Sequence, residues 1–166
     1  MDSRFRGNDE LMACAFIGVG SNLGNREKNL AAAQKAFSAI PGIRSVQSSE
    51  VYETDPVGGP AQGKYLNAVW KAETDLEPGP LLQALLQVES GLGRVRAEKN
   101  GPRIIDLDLL FYGSQVLNQP GLTVPHPRLH EREFVLKPLM DLAPDFVHPV
   151  LKKTISVILS ETKNLL

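Results

Sequence analysis

The segment Asp106-Leu107-Asp108-Leu109-Leu110-Phe111 carries the residue types and spacing most able to do chemistry. In an extended strand, residues i and i+2 face the same way. Asp106 and Asp108 therefore share one face, while Leu107 and Leu109 turn to the other, into a core. Aspartate is depleted in strands, so two on one face call for a reason. Two carboxylates about 7 Å apart along a strand can jointly hold Mg²⁺ ions that bridge phosphate oxygens. A solvated strand face with incidental acids explains the hexamer equally well when it is taken alone.

The neighbours favour the first reading. Arg94, Arg96, Lys99 and Arg103 lie just upstream, and His126, Arg128, His130 and Arg132 lie downstream. The only acids inside these two clusters are Glu98 and Glu131. Cations bracketing a carboxylate pair suit a polyphosphate bound with its metal. Surface salt bridges to the two aspartates are the plainer alternative. His126 and His130 lack a third soft ligand, which argues against a transition-metal site. No Gly-x-x-x-x-Gly-Lys-Ser/Thr loop occurs. Gly18-Val19-Gly20-Ser21-Asn22-Leu23-Gly24 reads as a tight turn into a helix rather than as a phosphate cradle.

The elements that must position these groups are legible from periodicity. Ala13–Gly20 is a short apolar run bounded by turn residues, the pattern of a buried strand. Leu30, Ala33, Phe37 and Ile40 recur at helical spacing after Gly24-Asn25, and Pro41-Gly42 ends that helix. Ile43–Tyr52 and Tyr65–Thr74 read as strands, joined by the Gly- and Pro-rich loop Thr54–Lys64, and loops of this length are usually functional. A second helix starts at Pro78 or Pro80 and ends at Gly91 or Gly93, with Leu81, Leu82, Leu85, Val88 and Leu92 as its buried stripe. A basic loop, Arg94–Arg103, leads into a strand over Ile104–Tyr112. Gln115–Leu117 suggests a short hairpin return, Pro120–Arg132 a second long loop, and Phe134–Leu142 and Thr154–Leu166 two terminal helices. The order is β-α-β-β-α-β with C-terminal additions. That is the ferredoxin-like α+β plan: an antiparallel sheet with helices on one face. The plan alone says little about activity.

Composition excludes other classes. The 166 residues suit one domain, with residues 1–11 expected as a disordered tail and 12–166 as the folded unit. The start could equally be Met12. Net charge is −1 and pI about 6.3, so generic nucleic-acid or membrane-surface binding is not expected. One cysteine, Cys14, can form no intramolecular disulfide and no cysteine-based zinc site. The apolar run Met12–Gly20 is too short to span a bilayer, and Asp9 and Glu10 interrupt any leader-like stretch. A cytoplasmic monomer is expected.

From Ala13 to Pro149 the chain resembles the 6-hydroxymethyl-7,8-dihydropterin pyrophosphokinases. The resemblance rests on Gly20-Ser21-Asn22-Leu23-Gly24, Tyr65-Leu66-Asn67-Ala68, Gly93-Arg94-Val95-Arg96, the run from Asn100-Gly101-Pro102-Arg103 to Asp106-Leu107-Asp108, and Leu122-Thr123-Val124-Pro125-His126-Pro127-Arg128, in that order. It implies transfer of pyrophosphate from ATP to a pterin hydroxymethyl group, releasing AMP. It implies that Asp106 and Asp108 hold two Mg²⁺ ions, and that Arg94 and Arg103 are the catalytic loop arginines. It puts Glu89, Arg96, Leu109, Thr123, His126 and Arg132 at the nucleotide, and Thr54, Val57, Tyr65, Asn67 and Phe134 around the pterin. An aromatic ring and an amide suit a flat pterin with a hydrogen-bonding edge.

Three positions depart from the pattern: Asn100 where some members carry Trp, Gly121 where the family has an arginine, and Pro127 where some have Tyr. Two other classes compete. A nucleotidyltransferase would place its Gly-Ser and Asp-x-Asp elements close together, whereas Ser21 and Asp106 are far apart in this chain. A non-enzymatic ligand-binding module on the same plan would have no need of paired strand aspartates flanked by arginines.

Overall fold

The computed structural model describes residues 5–6, 10–55, 62–93 and 104–164. Val57, Arg94, Arg96, Asn100 and Arg103 lie outside the described residues. Two short strands, β1 (Phe5–Arg6) and β2 (Glu10–Leu11), pair with each other and with nothing in the main sheet. They fall within the segment expected as a tail.

The main sheet is built from β3 (Ala13–Ser21), β4 (Ile43–Ser48), β5 (Tyr52–Thr54), β6 (Tyr65–Thr74) and β7 (Asp106–Tyr112). Its order is β4-β6-β3-β7, with β5 also paired to β6, and every pairing is antiparallel. Helix α1 (Arg26–Ser38) follows β3, and α2 (Pro78–Gly91) follows β6. This is the ferredoxin-like arrangement expected. Asn25 caps α1 by accepting the Lys28 N–H at 3.0 Å, and Pro78 opens α2. After β7 come the hairpin β8 (Leu117–Gln119) and β9 (Leu122–Val124), a single 3₁₀ turn at Leu129–Glu131, and helices α3 (Glu133–Leu142) and α4 (Ile155–Asn164).

One strand expectation splits. The run 43–52 is two strands, not one. Ser45 has a left-handed φ of 54°, and the register against β6 shifts between Arg44 and Gln47. The chain then leaves the ladder, with Ser49 holding it: its Oγ accepts the Val69 N–H at 2.8 Å. When pairing resumes in β5, Thr54 stands opposite Tyr65.

The C-terminal additions close the second face of the sheet. One core lies under α1 and α2 and gathers Ile17, Val19, Phe37, Trp70, Leu85 and Leu107. The other lies under α3 and α4 and gathers Phe16, Val69, Leu110, Phe111, Leu136 and Ile158. A β-bulge makes this possible. Phe16 pairs with Phe111 but Ile17 pairs with Leu109, so Leu110 is an extra residue. Leu110 and Phe111 can then both enter the second core, while Asp106 and Asp108 stay on that same face nearer the strand's start.

The connection from α3 to α4 contains a buried histidine. His148 is 4% exposed, and its Nδ1 accepts the Val150 and Leu151 N–H groups, each at 3.1 Å. Burial, and secondarily His130 nearby, hold its pKa below the usual 6.5. The unfolded chain therefore takes up this proton near pH 6.5, before the folded chain does. Stability is full above that pH and falls as the pH drops toward the folded value. We expect His148→Asn, whose Oδ1 can accept the same two amides without titrating, to flatten part of the decline in Tm between pH 7 and pH 5. An unchanged slope would rule out this assignment.

Candidate active site

β7 is an edge strand, and one of its backbone groups is satisfied from a helix. The Glu89 carboxylate on α2 accepts the Leu107 N–H at 2.8 Å, and Glu89 is only 3% exposed. Leu107 lies between Asp106 and Asp108. The burial alternates along the strand as expected, with the two aspartates half-buried and Leu107 and Leu109 in the core under α1 and α2. Glu89 therefore braces the acid-bearing strand from behind. Glu89→Ala should leave a buried N–H without this acceptor and cost about 1–3 kcal/mol of stability, read from urea unfolding. Glu89→Gln, which keeps an acceptor oxygen, should recover most of it.

The face carrying Asp106 and Asp108 opens into a cleft of about 530 Å³. Its floor is β3, where Gly18 pairs with Asp108 on one side and Val69 on the other, and Gly20 pairs with Asp106 and Asn67. Gly20 has little room for a side chain, since a Cβ there would lie 3.2 Å from Asn67 Oδ1 and 3.3 Å from Tyr65 Cδ1. One wall is formed by Thr54, Asp55, Gln62, Tyr65 and Asn67. Asn67 donates a short hydrogen bond from Nδ2 to Thr54 Oγ1, which fixes its carboxamide. The opposite wall is the approach to α3, with His126, Arg128, Glu131, Arg132 and Phe134. The Arg132 guanidinium sits 5.7 Å above the centre of the Phe134 ring, within cation–π range.

His126 is pinned at two points. Its N–H donates to the Leu110 carbonyl at 2.9 Å, which attaches the 125–128 segment beside β7. Its Nδ1 accepts the Arg128 N–H at 3.3 Å. Burial first, then Arg132, hold its pKa below 6.5, against an opposing pull from Asp106. The ring is therefore neutral at pH 7. With Nδ1 accepting, the proton sits on Nε2, so the ring is a hydrogen-bond donor there.

The cleft thus unites Asp106, Asp108, Thr54, Tyr65, Asn67, His126, Arg132 and Phe134. Three other expected site residues are placed differently. Leu109 is in the core under α1 and α2, and Glu89 is the brace behind β7. Thr123 is on the exposed face of β9, with its hydroxyl 3.5 Å from Asn118 Oδ1. Sequence reading did not single out the glycine floor or Gln62. The floor had a signal, because Gly18 and Gly20 alternate with Ile17 and Val19, which leaves one strand face bare.

The lining charges indicate what the cleft can take. Among the described residues the lining acids are Asp55, Asp106, Asp108, Glu131 and Glu133, against Arg128 and Arg132. Toward these residues alone a bare polyphosphate meets net negative charge, and divalent cations carried with it would offset the repulsion. Two strand carboxylates are a donor set suited to Mg²⁺, which keeps several waters and completes its shell with substrate phosphates. Among the described residues no cluster of three or more His, Cys, Asp or Glu side chains could hold a metal unaided.

Residues 16–144 match the family model described as 7,8-dihydro-6-hydroxymethylpterin-pyrophosphokinase. The chain belongs to this family. It is 43% identical over 138 residues to a 2-amino-4-hydroxy-6-hydroxymethyldihydropteridine pyrophosphokinase of Haemophilus influenzae, covering 83% of this chain and 86% of that protein. It is 47% identical over 135 residues to the Folic acid synthesis protein fol1 of Pneumocystis carinii, covering 81% of this chain but only 18% of that protein. A crystal structure of wild-type Plasmodium falciparum HPPK-DHPS with pteroate superposes with a TM-score of 0.72 at 14% identity, covering 90% of this chain and 42% of that one. At that identity the likeness speaks for the fold. The ferredoxin-like architecture is thus the family's, and no helix among the described residues is long and apolar enough to cross a membrane.

Proposed function

We propose that this pyrophosphokinase-family chain transfers the pyrophosphoryl group of ATP to the hydroxymethyl group of 6-hydroxymethyl-7,8-dihydropterin and releases AMP, a step in folate synthesis. The observation that carries this reading is the single cleft that joins the paired aspartates of β7 to the Asn67–Phe134 pair. The first pair suits a metal-bound triphosphate and the second a flat, hydrogen-bonding heterocycle.

In this reading the hydroxymethyl oxygen attacks the β-phosphorus in line and loses its proton to solvent, while the bond from the β-phosphorus to the α,β-bridging oxygen breaks and AMP leaves with that oxygen. Asp106 and Asp108 would hold two Mg²⁺ ions, whose chemistry is to neutralise charge on the transferring group. Holding both substrates at one glycine floor supplies orientation. Asn67, fixed by Thr54, pairs with the edge of the pterin, and the Phe134 ring lies against its face. Tyr65 completes that pocket, and Val57 is assigned to it by the family resemblance alone. His126, neutral and with a proton on Nε2, can donate to a phosphate oxygen, as can Arg132 and Arg96. Arg94 and Arg103 serve as the transition-state arginines. Glu89 supports the nucleotide end through β7, whereas Thr123 and Leu109 enter that end on the family resemblance alone. The protein works as a cytoplasmic monomer.

The test is AMP release from ATP and Mg²⁺ with and without the pterin alcohol. Pterin-dependent AMP with no ADP is the expected outcome. Release that ignores the pterin, or formation of a nucleotidylated product, would overturn the reading.

A further inference from the structure

The Asn22–Gly24 turn that follows β3 has a second role that its sequence did not disclose. Asn22 is 6% exposed, and its Nδ2 donates to Gln62 Oε1 at 2.7 Å and to the Gly63 carbonyl at 3.2 Å. The turn itself is fastened to α1. Asn29 Nδ2 donates to Ser21 Oγ at 3.2 Å and to the Leu23 carbonyl at 2.8 Å, and Gly24 takes the left-handed φ of 72° that the turn needs. At the first position of α1, Arg26 donates from Nη1 to the Lys64 carbonyl at 2.9 Å and pairs through Nη2 with Glu53 of β5 at 2.9 Å. Residues 62, 63 and 64 are thus all gripped by the β3–α1 junction, and so is β5. These are the segments that carry Thr54, Gln62 and Tyr65 into the cleft.

We propose that Asn22 is a positioning residue for the acceptor substrate. By spending both N–H groups of its carboxamide on Gln62 and Gly63, it sets the wall of the cleft against which the pterin lies, without touching substrate itself. A buried amide that donates twice to a segment some forty positions along the chain is costly to satisfy in any other way. Arg26 is a partly exposed reinforcement, whereas Asn22 is the buried contact. A wall displaced by a fraction of an ångström would misplace one reactant and leave the other nearly untouched. This inference rests on the pyrophosphokinase reading for its substrate, though not for its geometry.

The test uses the full chain and Asn22→Ala, Asn22→Asp and Gln62→Ala. Asn22→Ala should raise KM for the pterin alcohol about tenfold while KM for ATP stays within about twofold. Asn22→Asp should be at least as impaired, since its carboxylate cannot donate to the Gly63 carbonyl. Amide hydrogen exchange in the peptide spanning 62–66 should accelerate about tenfold in Asn22→Ala and remain unchanged in α2. The Asn22→Ala/Gln62→Ala pair should be less than additive. Unchanged exchange at 62–66, or equal rises in both KM values with a fall in Tm, would overturn the proposal. Gln62 is near the surface, so Gln62→Ala keeps the test alive should Asn22→Ala not fold. If the wild type released no pterin-dependent AMP, the reading of the reaction would fail, and the exchange comparison would still decide the role of Asn22.

Discussion

Asp108→Asn should lower kcat by at least about a thousandfold, the order expected when a group that stabilises charge on a transferring phosphoryl centre is lost. Asparagine keeps the size of the side chain and one oxygen but removes the charge that binds a hard cation. The residue is half-buried on the cleft face of β7, and the strand is held independently by its ladder to β3 and by Glu89 at Leu107. The fold should therefore survive, with Tm in the absence of nucleotide changed by only a few degrees. A second readout separates binding from chemistry. Wild type with a non-hydrolysable ATP analogue and Mg²⁺ at about a hundred times Kd should gain about 2.7 kcal/mol of stability. The variant should gain far less. Asp106→Asn should behave likewise. A variant with wild-type kcat and an intact Mg²⁺-dependent shift in Tm would show that these carboxylates hold no metal.

Much of this arrangement is legible before any coordinates, for reasons particular residues make plain. β6 runs from Tyr65 to Thr74, the bounds read from the sequence, because both ends are marked by a change in polarity. The faces of Asp106 and Asp108 follow from period two alone. What the sequence could not reveal depends on neighbours. The break between β4 and β5 comes from a left-handed Ser45 and from the Ser49 bond to Val69, neither of which a run of strand-forming residues announces. The double-faced burial of β6 depends on α3 folding back over it. Leu110 reads as a continuation of an alternating strand, yet it is a bulge.

Glu89 is the instructive case, because a signal for its actual position was available. It lies four residues after Leu85 and three before Leu92, on the buried stripe of α2. A carboxylate there must meet a donor inside the protein. Resemblance puts it at the nucleotide, whereas the helical period puts it on the buried stripe of α2 and the structure sets its carboxylate against the Leu107 N–H. The two statements differ by one layer, and the consequence is physical: Glu89 reaches the site through the strand that carries the aspartates.

Gly20→Val should nearly abolish use of the pterin, a larger loss than its effect on stability accounts for. Gly20 is paired on both sides, with Asn67 and Asp106 as its register partners, so it lies between the acceptor wall and the acid strand. Its φ is not in the left-handed region, so no backbone conformation forbids a side chain. Glycine within a strand weakens it, and a β-branched residue suits an extended backbone, so backbone propensity alone favours the change by up to about 1 kcal/mol. Space is the opposing term. A single Cβ already meets Asn67 Oδ1 at 3.2 Å and Tyr65 Cδ1 at 3.3 Å. Alanine would require both to give by a few tenths of an ångström, and valine adds two methyl groups to the floor where the heterocycle must lie. KM for the pterin alcohol should rise several-fold in Gly20→Ala and at least about a hundredfold in Gly20→Val, with Tm changed by no more than a few degrees. Gly18→Ala is the control, since its Cβ would meet Leu110 at an ordinary 3.4 Å and should cost little. A rise in KM for the pterin alone, with KM for ATP and cooperative unfolding retained, is a signature that general damage to the fold does not produce. A Gly20→Val protein with wild-type KM would place the acceptor somewhere other than on the glycine floor.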